Sequence, residues 1–240
     1  MISYPNAKIN LGLNVLSRRE DGLHNLETVL YPIPWHDILE ILPAGAFSFS
    51  SSGVPISGDE DQNLCVKAYK LLKAHFAVPP VKIHLHKIIP MGAGLGGGSS
   101  DATSTIKMLN QLFELDLSVR KMVELSATLG SDCPFFVDNI ACLATGTGTR
   151  LAPLELDLSD HHIAIVYPEV HISTKEAYGG IQPDAPVVTL QAALGRPRAN
   201  WQSEIRNDFE QSIFQKHPEL KKIKSDLLKA GAWYLSLIHI

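Results

Sequence analysis

Five glycines fall within the seven residues from Gly92 to Gly98, and their flanks restrict what the chain can form there. On the N-terminal side residues 81–89 alternate, with Ile83 and Leu85 opposite Lys82, His84 and His86, the period of a half-buried strand. On the C-terminal side Ile106, Leu109, Leu112 and Phe113 recur at helical spacing. A strand therefore leads in and a helix leads out. Glycines at such a junction let the backbone turn tightly and let a ligand approach the N–H groups, with the positive end of the helix dipole behind them. The predicted product is a cradle for a phosphate anion. A glycine-rich connection without a ligand is the plain alternative, but ordering so many flexible residues carries a large entropy cost.

Three kinds of phosphate loop compete for this segment. A loop of the G-x-x-x-x-G-K-[ST] type needs a lysine after its last glycine, and Gly98 is followed by Ser99. Gly92, Gly94 and Gly97 do match G-x-G-x-x-G, yet that dinucleotide fingerprint also needs a strand after the helix, ending in an acid about 20 residues on. Glu114 and Asp116 lie instead between two predicted helices. The run Pro90-Met91-Gly92-Ala93-Gly94-Leu95-Gly96-Gly97-Gly98-Ser99-Ser100 resembles the third kind. This is the phosphate loop of the superfamily of galactokinase, homoserine kinase, mevalonate kinase and phosphomevalonate kinase, the GHMP kinases.

Elsewhere the pattern is mixed. In residues 8–15, Ile9, Leu11, Leu13 and Val15 alternate with Lys8, Asn10, Gly12 and Asn14, which predicts a half-buried strand. Residues 25–42 read as extended, interrupted by Pro32 and Pro34. Asn63 is placed to cap a helix carrying Leu64, Ala68, Leu71 and Leu72, and Ser118 caps another closed by Gly130. Residues 151–162 form the predicted boundary, followed by a buried strand over 163–167 and a helix over 219–230. The expected architecture is α+β in two domains, 1–152 and 160–240.

Composition sets limits on function. With 45% hydrophobic and 19% charged residues, the chain has a globular composition. Lys and Arg number 21 against 25 Asp and Glu, and no basic stripe forms, which argues against a nucleic-acid partner. Cys65, Cys133 and Cys142 make neither an even set nor a C-x-x-C pair, which suggests a reducing compartment and no zinc site. No apolar run approaches the ~20 residues of a membrane span, and Asn6, Lys8 and Asn10 sit where a signal peptide would be apolar. The expected location is the cytoplasm. His84 and His86 share a strand face, but no carboxylate or cysteine accompanies them at ligand spacing, so no protein metal site is assigned.

Phosphoryl transfer requires an oriented acceptor hydroxyl, a group to take its proton, and charge near the phosphoryl oxygens. Lys8 and Asn10 share a strand face, and Asp132 follows Gly130 by two residues. Each has a bland reading: Lys8 as a solvated strand lysine, Asp132 as an N-cap ahead of Pro134.

Four segments, taken together and in order, resemble the 4-diphosphocytidyl-2-C-methyl-D-erythritol kinase family of that superfamily. They are Pro5-Asn6-Ala7-Lys8-Ile9-Asn10-Leu11, then Arg19-Glu20-Asp21-Gly22-Leu23-His24, then the loop from Pro90 to Ser100, then Leu129-Gly130-Ser131-Asp132-Cys133-Pro134-Phe135-Phe136. The resemblance implies a small-molecule kinase of isoprenoid biosynthesis that uses ATP with Mg²⁺, acting as a monomer or weak homodimer. The implied fold has a ribosomal protein S5 domain 2-like N-terminal domain and a ferredoxin-like C-terminal domain. Asp132 matches the catalytic base for the substrate's 2-hydroxyl, and Lys8 the lysine that keeps it ionised, as a nearby cation does. The run from Pro90 to Ser100 matches the ATP phosphate loop. Asn10 and His24 fall among the substrate-binding positions, His24 on the cytosine, and Tyr178 falls where an aromatic ring stacks on that base. A homoserine or mevalonate kinase, or an inactive nucleotide-binding fragment, is the alternative.

Two positions depart from the family pattern. Leu23 stands where an aromatic residue, usually tyrosine, precedes the histidine, which predicts weaker substrate binding. After Tyr234, Leu235-Ser236-Leu237-Ile238-His239-Ile240 does not match the family's terminal glycine motif. The expectation is a truncated or aberrant second domain with an open sheet edge, an exposed core, low stability and weak activity.

Overall fold

The computed structural model describes residues 1–170, 172–184 and 186–238. They form two compact units that interleave along the chain: residues 1–8, 32–91 and 95–140 in the first, and 9–31, 92–94 and those from 141 on in the second.

The first unit is built on a four-stranded sheet. Its strands β1 (Ile2–Ser3), β4 (Ile38–Pro43), β5 (Ser48–Gly53) and β6 (Val81–Lys87) lie in the order β1-β4-β6-β5. The β5–β6 pair is parallel, so the connection between them needs a crossover, and α1 (Leu64–His75) supplies it. Asn63 caps α1 as expected, its Oδ1 accepting the Cys65 N–H at 2.9 Å. Leu39, Ile41, Val81, Ile83 and Leu85 on the inner sheet face pack with Cys65, Tyr69 and Leu72 of α1 and with Ala102, Ile106 and Leu109 of α2 (Gly97–Leu112). On the other face His84 and His86 hydrogen-bond Ser50 and Ser52 at 2.8–3.0 Å. Ser118 accepts the Lys121 N–H to start α3 (Val119–Ala127), and the short α4 (Phe135–Asp138) follows.

The second sheet has the order β2-β3-β7-β8, from β2 (Asn6–Arg18), β3 (His24–His36), β7 (Cys142–Gly146) and β8 (Arg150–Pro153). Pro32 and Pro34 lie within β3 without ending it, and its ladder to β7, which spans Leu26 to Leu30, asks no N–H of either proline. In the second unit the helices α5 (Thr174–Gly179), α6 (Leu190–Leu194), α7 (Trp201–Glu204), α8 (Phe209–Lys216) and α9 (Pro218–Lys229) follow. They are anchored to the strands by polar groups: buried Glu27 accepts the Leu190 N–H at 2.9 Å, and Asp208 accepts that of Val15 at 2.7 Å. Leu13, Val15 and Leu26 pack with Ile172, Ala177, Phe209, Ile213 and Leu220.

Two expectations change, and the tail makes contacts of its own. Residues 163–167 form no strand, and Ile163, Val166 and Tyr167 are about half exposed; an apolar run becomes a strand only where a partner strand completes its ladder. The polar side of β2 is buried as well, with Lys8, Asn10 and Asn14 at 1%, 5% and 3% exposure. In the non-matching tail Leu237 packs against the second unit's core. Its N–H donates to Glu210 at 3.1 Å and its C=O accepts from Asn207 at 3.0 Å. His239 and Ile240 lie outside the described residues.

Candidate active site

The glycine loop leaves β6 and reaches α2 with positive φ at every second residue, Gly92 (+69°), Gly94 (+72°) and Gly96 (+68°). Such alternation turns successive N–H groups toward one side, the form of an anion nest. Gly96 is the N-cap of α2 and supplies no side-chain cap, and the first turn carries no acid. The first bond into the helix is donated by Ser100 N–H to Gly96 C=O at 2.9 Å, which leaves the earlier N–H groups for an external acceptor. A long helix with an uncapped, acid-free N-terminus behind a glycine nest fits a phosphate.

Within the first unit this loop meets Lys8 directly. The Lys8 N–H donates to Leu95 C=O at 2.9 Å. A Cβ on Gly96 would stand 3.0 Å from both Lys8 Cγ and Phe136 Cζ, so both the close approach and the positive φ require glycine there. Lys8 Nζ lies 3.4 Å from Asp132 Oδ2. Burial pushes the Lys8 ammonium below its usual range, and the Asp132 carboxylate works against that. The solvated-lysine reading of Lys8 is thereby excluded.

Asp132 does not cap α4 either: Pro134 takes that position, with no side-chain cap bond. The turn holding Asp132 is fixed to α2 by Thr103, whose Oγ1 donates to Cys133 C=O at 2.8 Å. The carboxylate is 36% exposed where its lysine partner is 1% exposed, so a hydroxyl can reach it from solvent.

The remaining candidates lie in the second unit. His24 and Tyr178 stack on each other, with ring centroids 4.9 Å apart and planes 17° from parallel, and Phe209 meets Tyr178 edge-on at 5.0 Å. The two rings are in contact, so a base between them requires them to part. Leu23 beside His24 is 55% exposed. Asn10 donates from Nδ2 to Thr28 Oγ1 at 3.0 Å, and that hydroxyl donates onward to Gly12 C=O at 2.6 Å.

One group near the loop escaped the sequence reading. Lys87, Asp37 and Asp101 form an ion-paired set at 1%, 0% and 2% exposure. The available signal was phase: Lys87 falls on the Val81, Ile83, Leu85 side of its strand, and a lysine on an apolar face needs counter-charges.

A glycine nest at a helix start, with a lysine–aspartate pair beside it on this α+β frame, defines a small-molecule kinase of the GHMP type. Residues 63–146 match the family described as GHMP kinases N terminal domain. The chain is 49% identical over 238 residues to the 4-diphosphocytidyl-2-C-methyl-D-erythritol kinase of Cytophaga hutchinsonii, covering 99% of this chain and 88% of that one. It is 44% identical over 237 residues to the enzyme of the same name from Parabacteroides distasonis, with the same coverage. Among solved structures, a 4-(cytidine 5'-diphospho)-2C-methyl-D-erythritol kinase aligns with a TM-score of 0.80 and 32% identity, over 96% of this chain and 84% of that one. A homoserine kinase from Cytophaga hutchinsonii aligns at TM-score 0.58 and 14% identity over 95% and 80%, which speaks to the fold alone. The chain belongs to the 4-diphosphocytidyl-2-C-methyl-D-erythritol kinase family.

Proposed function

We propose that this chain phosphorylates the 2-hydroxyl of 4-diphosphocytidyl-2-C-methyl-D-erythritol with ATP, a step of isoprenoid precursor synthesis. Family membership supports the reaction, and the Lys8–Asp132 pair against Gly96 is the observation that supports the roles. Asp132 accepts the hydroxyl proton at its carboxylate as the oxygen attacks. Lys8 pairs with that carboxylate and aims it, since the lysine is itself locked by burial and by its backbone bond to Leu95. The loop from Pro90 to Ser100 takes the phosphates on its N–H groups, and the α2 dipole stabilises the negative charge there.

No group of three or more acidic, His or Cys side chains positioned for a metal forms among the described residues, so Mg²⁺ would be held chiefly by the nucleotide's own oxygens. When bound it supplies positive charge to the phosphoryl oxygens. His24 offers ring nitrogens to the cytosine edge, Tyr178 offers a ring face, and Asn10 completes the substrate side.

Coupled measurement of ADP release tests this reading, with homoserine and mevalonate as comparison substrates. The expected result is turnover with the cytidyl substrate alone. Asp132→Asn should lower that turnover by about 10³-fold while ADP affinity stays within about twofold, because the variant keeps the shape and removes the base. Turnover that survives in Asp132→Asn would remove Asp132 from the role.

A further inference from the structure

Lys87 ends β6 with its side chain in the core of the first unit. Its Nζ donates to Asp37 Oδ2 at 2.5 Å and to Asp101 Oδ2 at 2.8 Å. The second oxygen of Asp37 accepts the N–H groups of Ile88 and Ile89, at 2.5 and 2.9 Å, the last two residues before Pro90. Asp101 lies in α2, just beyond the glycines. A Cβ placed on Gly97 would stand 2.8 Å from Lys87 Nζ, so the ammonium sits against the first residue of that helix. One lysine thus touches the chain on both sides of the phosphate loop.

We propose that Lys87 is a positioning residue for the phosphate loop, its ammonium joining the strand that enters the loop to the helix that leaves it through Asp37 and Asp101. Buried ion sets seldom add net stability, because desolvation offsets their attraction, and their best-attested use is to fix register. Register is what a glycine loop lacks by itself, since each glycine admits many backbone conformations. With both ends fixed, less freedom is lost when the N–H groups close on a phosphate. Asp101 Oδ1 has no hydrogen-bond partner among the described residues, so its contact to Lys87 runs through Oδ2.

The idea rests on the kinase reading only for the identity of the ligand, so the test uses ADP and the unliganded protein. Asp101→Asn is nearly isosteric and weakens one arm; Lys87→Met removes the joint. Hydrogen exchange of peptides covering residues 90–101 should accelerate about fivefold in Asp101→Asn, with exchange in α1 unchanged. ADP should bind about fivefold more weakly to that variant and about tenfold more weakly to Lys87→Met, while affinity for the cytidyl substrate stays within about twofold. If Lys87→Met fails to fold, Asp101→Asn decides. Unchanged ADP affinity in a folded Asp101→Asn, or an equal rise in exchange across the whole first unit, overturns the proposal. A parent chain that binds ADP but does not phosphorylate the cytidyl substrate sinks the substrate assignment and leaves Lys87 in its role.

Discussion

Lys8 carries its charge under unusual conditions, since burial lowers the pH at which the ammonium is lost. The sign is definite: the cation is present below that lowered pKa and disappears as pH rises through it. Activity should therefore fall on the alkaline side at a lower pH than an exposed lysine would allow. Lys8→Arg should shift or abolish that limb, which a pH–rate profile of both proteins will show. Tyr178 offers a second residue-level test. On the proposed function its ring is the stacking face for a base, and such contacts are worth roughly 1–3 kcal/mol. Tyr178→Ala should raise KM for the cytidyl substrate by about tenfold and leave KM for ATP unchanged. The proposed roles were legible as motif positions, but the local sequence around Lys8 and Asp132 favoured a solvated lysine and an N-cap. The burial of Lys8, its 3.4 Å approach to Asp132 more than a hundred positions away and the place of Pro134 at the N-cap set both of those readings aside.

At the scale of elements, the loop and its helix act together. Gly96 is in the left-handed region, and a methyl group there would crowd Lys8 and Phe136 at 3.0 Å. Gly96→Ala adds a backbone cost of roughly 1–2 kcal/mol before the clash with Lys8 and Phe136 is counted. Thermal denaturation should show a loss of several degrees, and calorimetry a marked loss of ADP affinity. Elements whose signals are local were readable: α1 and α3 begin at Asn63 and Ser118 because a side-chain oxygen three residues or fewer from the orphan N–H groups is a short-range cause. The failed strand at 163–167 had an apolar run and no partner. A ladder is a long-range cause, invisible to any window of five residues.

For the molecule as a whole, stability should carry the imprint of Asp101. Burial, with the Asp37 charge added and Lys87 opposing, raises its carboxyl to about 7. The folded chain then holds a proton that the unfolded chain has released, so stability falls as pH rises from about 4 to about 7 and levels above that. Melting temperatures across this window should show the decline, and Asp101→Asn should flatten it. The tail belongs to the same scale. Leu237 packs on the second unit's core, with its backbone held by Glu210 and Asn207. Leu237→Ser should destabilise the protein by about 1–2 kcal/mol, seen as a lower urea midpoint.

From its residues alone the chain declared a strand–glycine–helix junction, the order of its motifs and hence its kinase family, because those signals rest on contiguous residue types and spacings. Folding decided the rest: that Lys8 is buried against Gly96 and reaches Asp132, that His24 lies on Tyr178, and that Lys87 is held between two aspartates. Each depends on side chains brought within a few ångströms from distant parts of the chain, where burial sets their charge and neighbours set their aim.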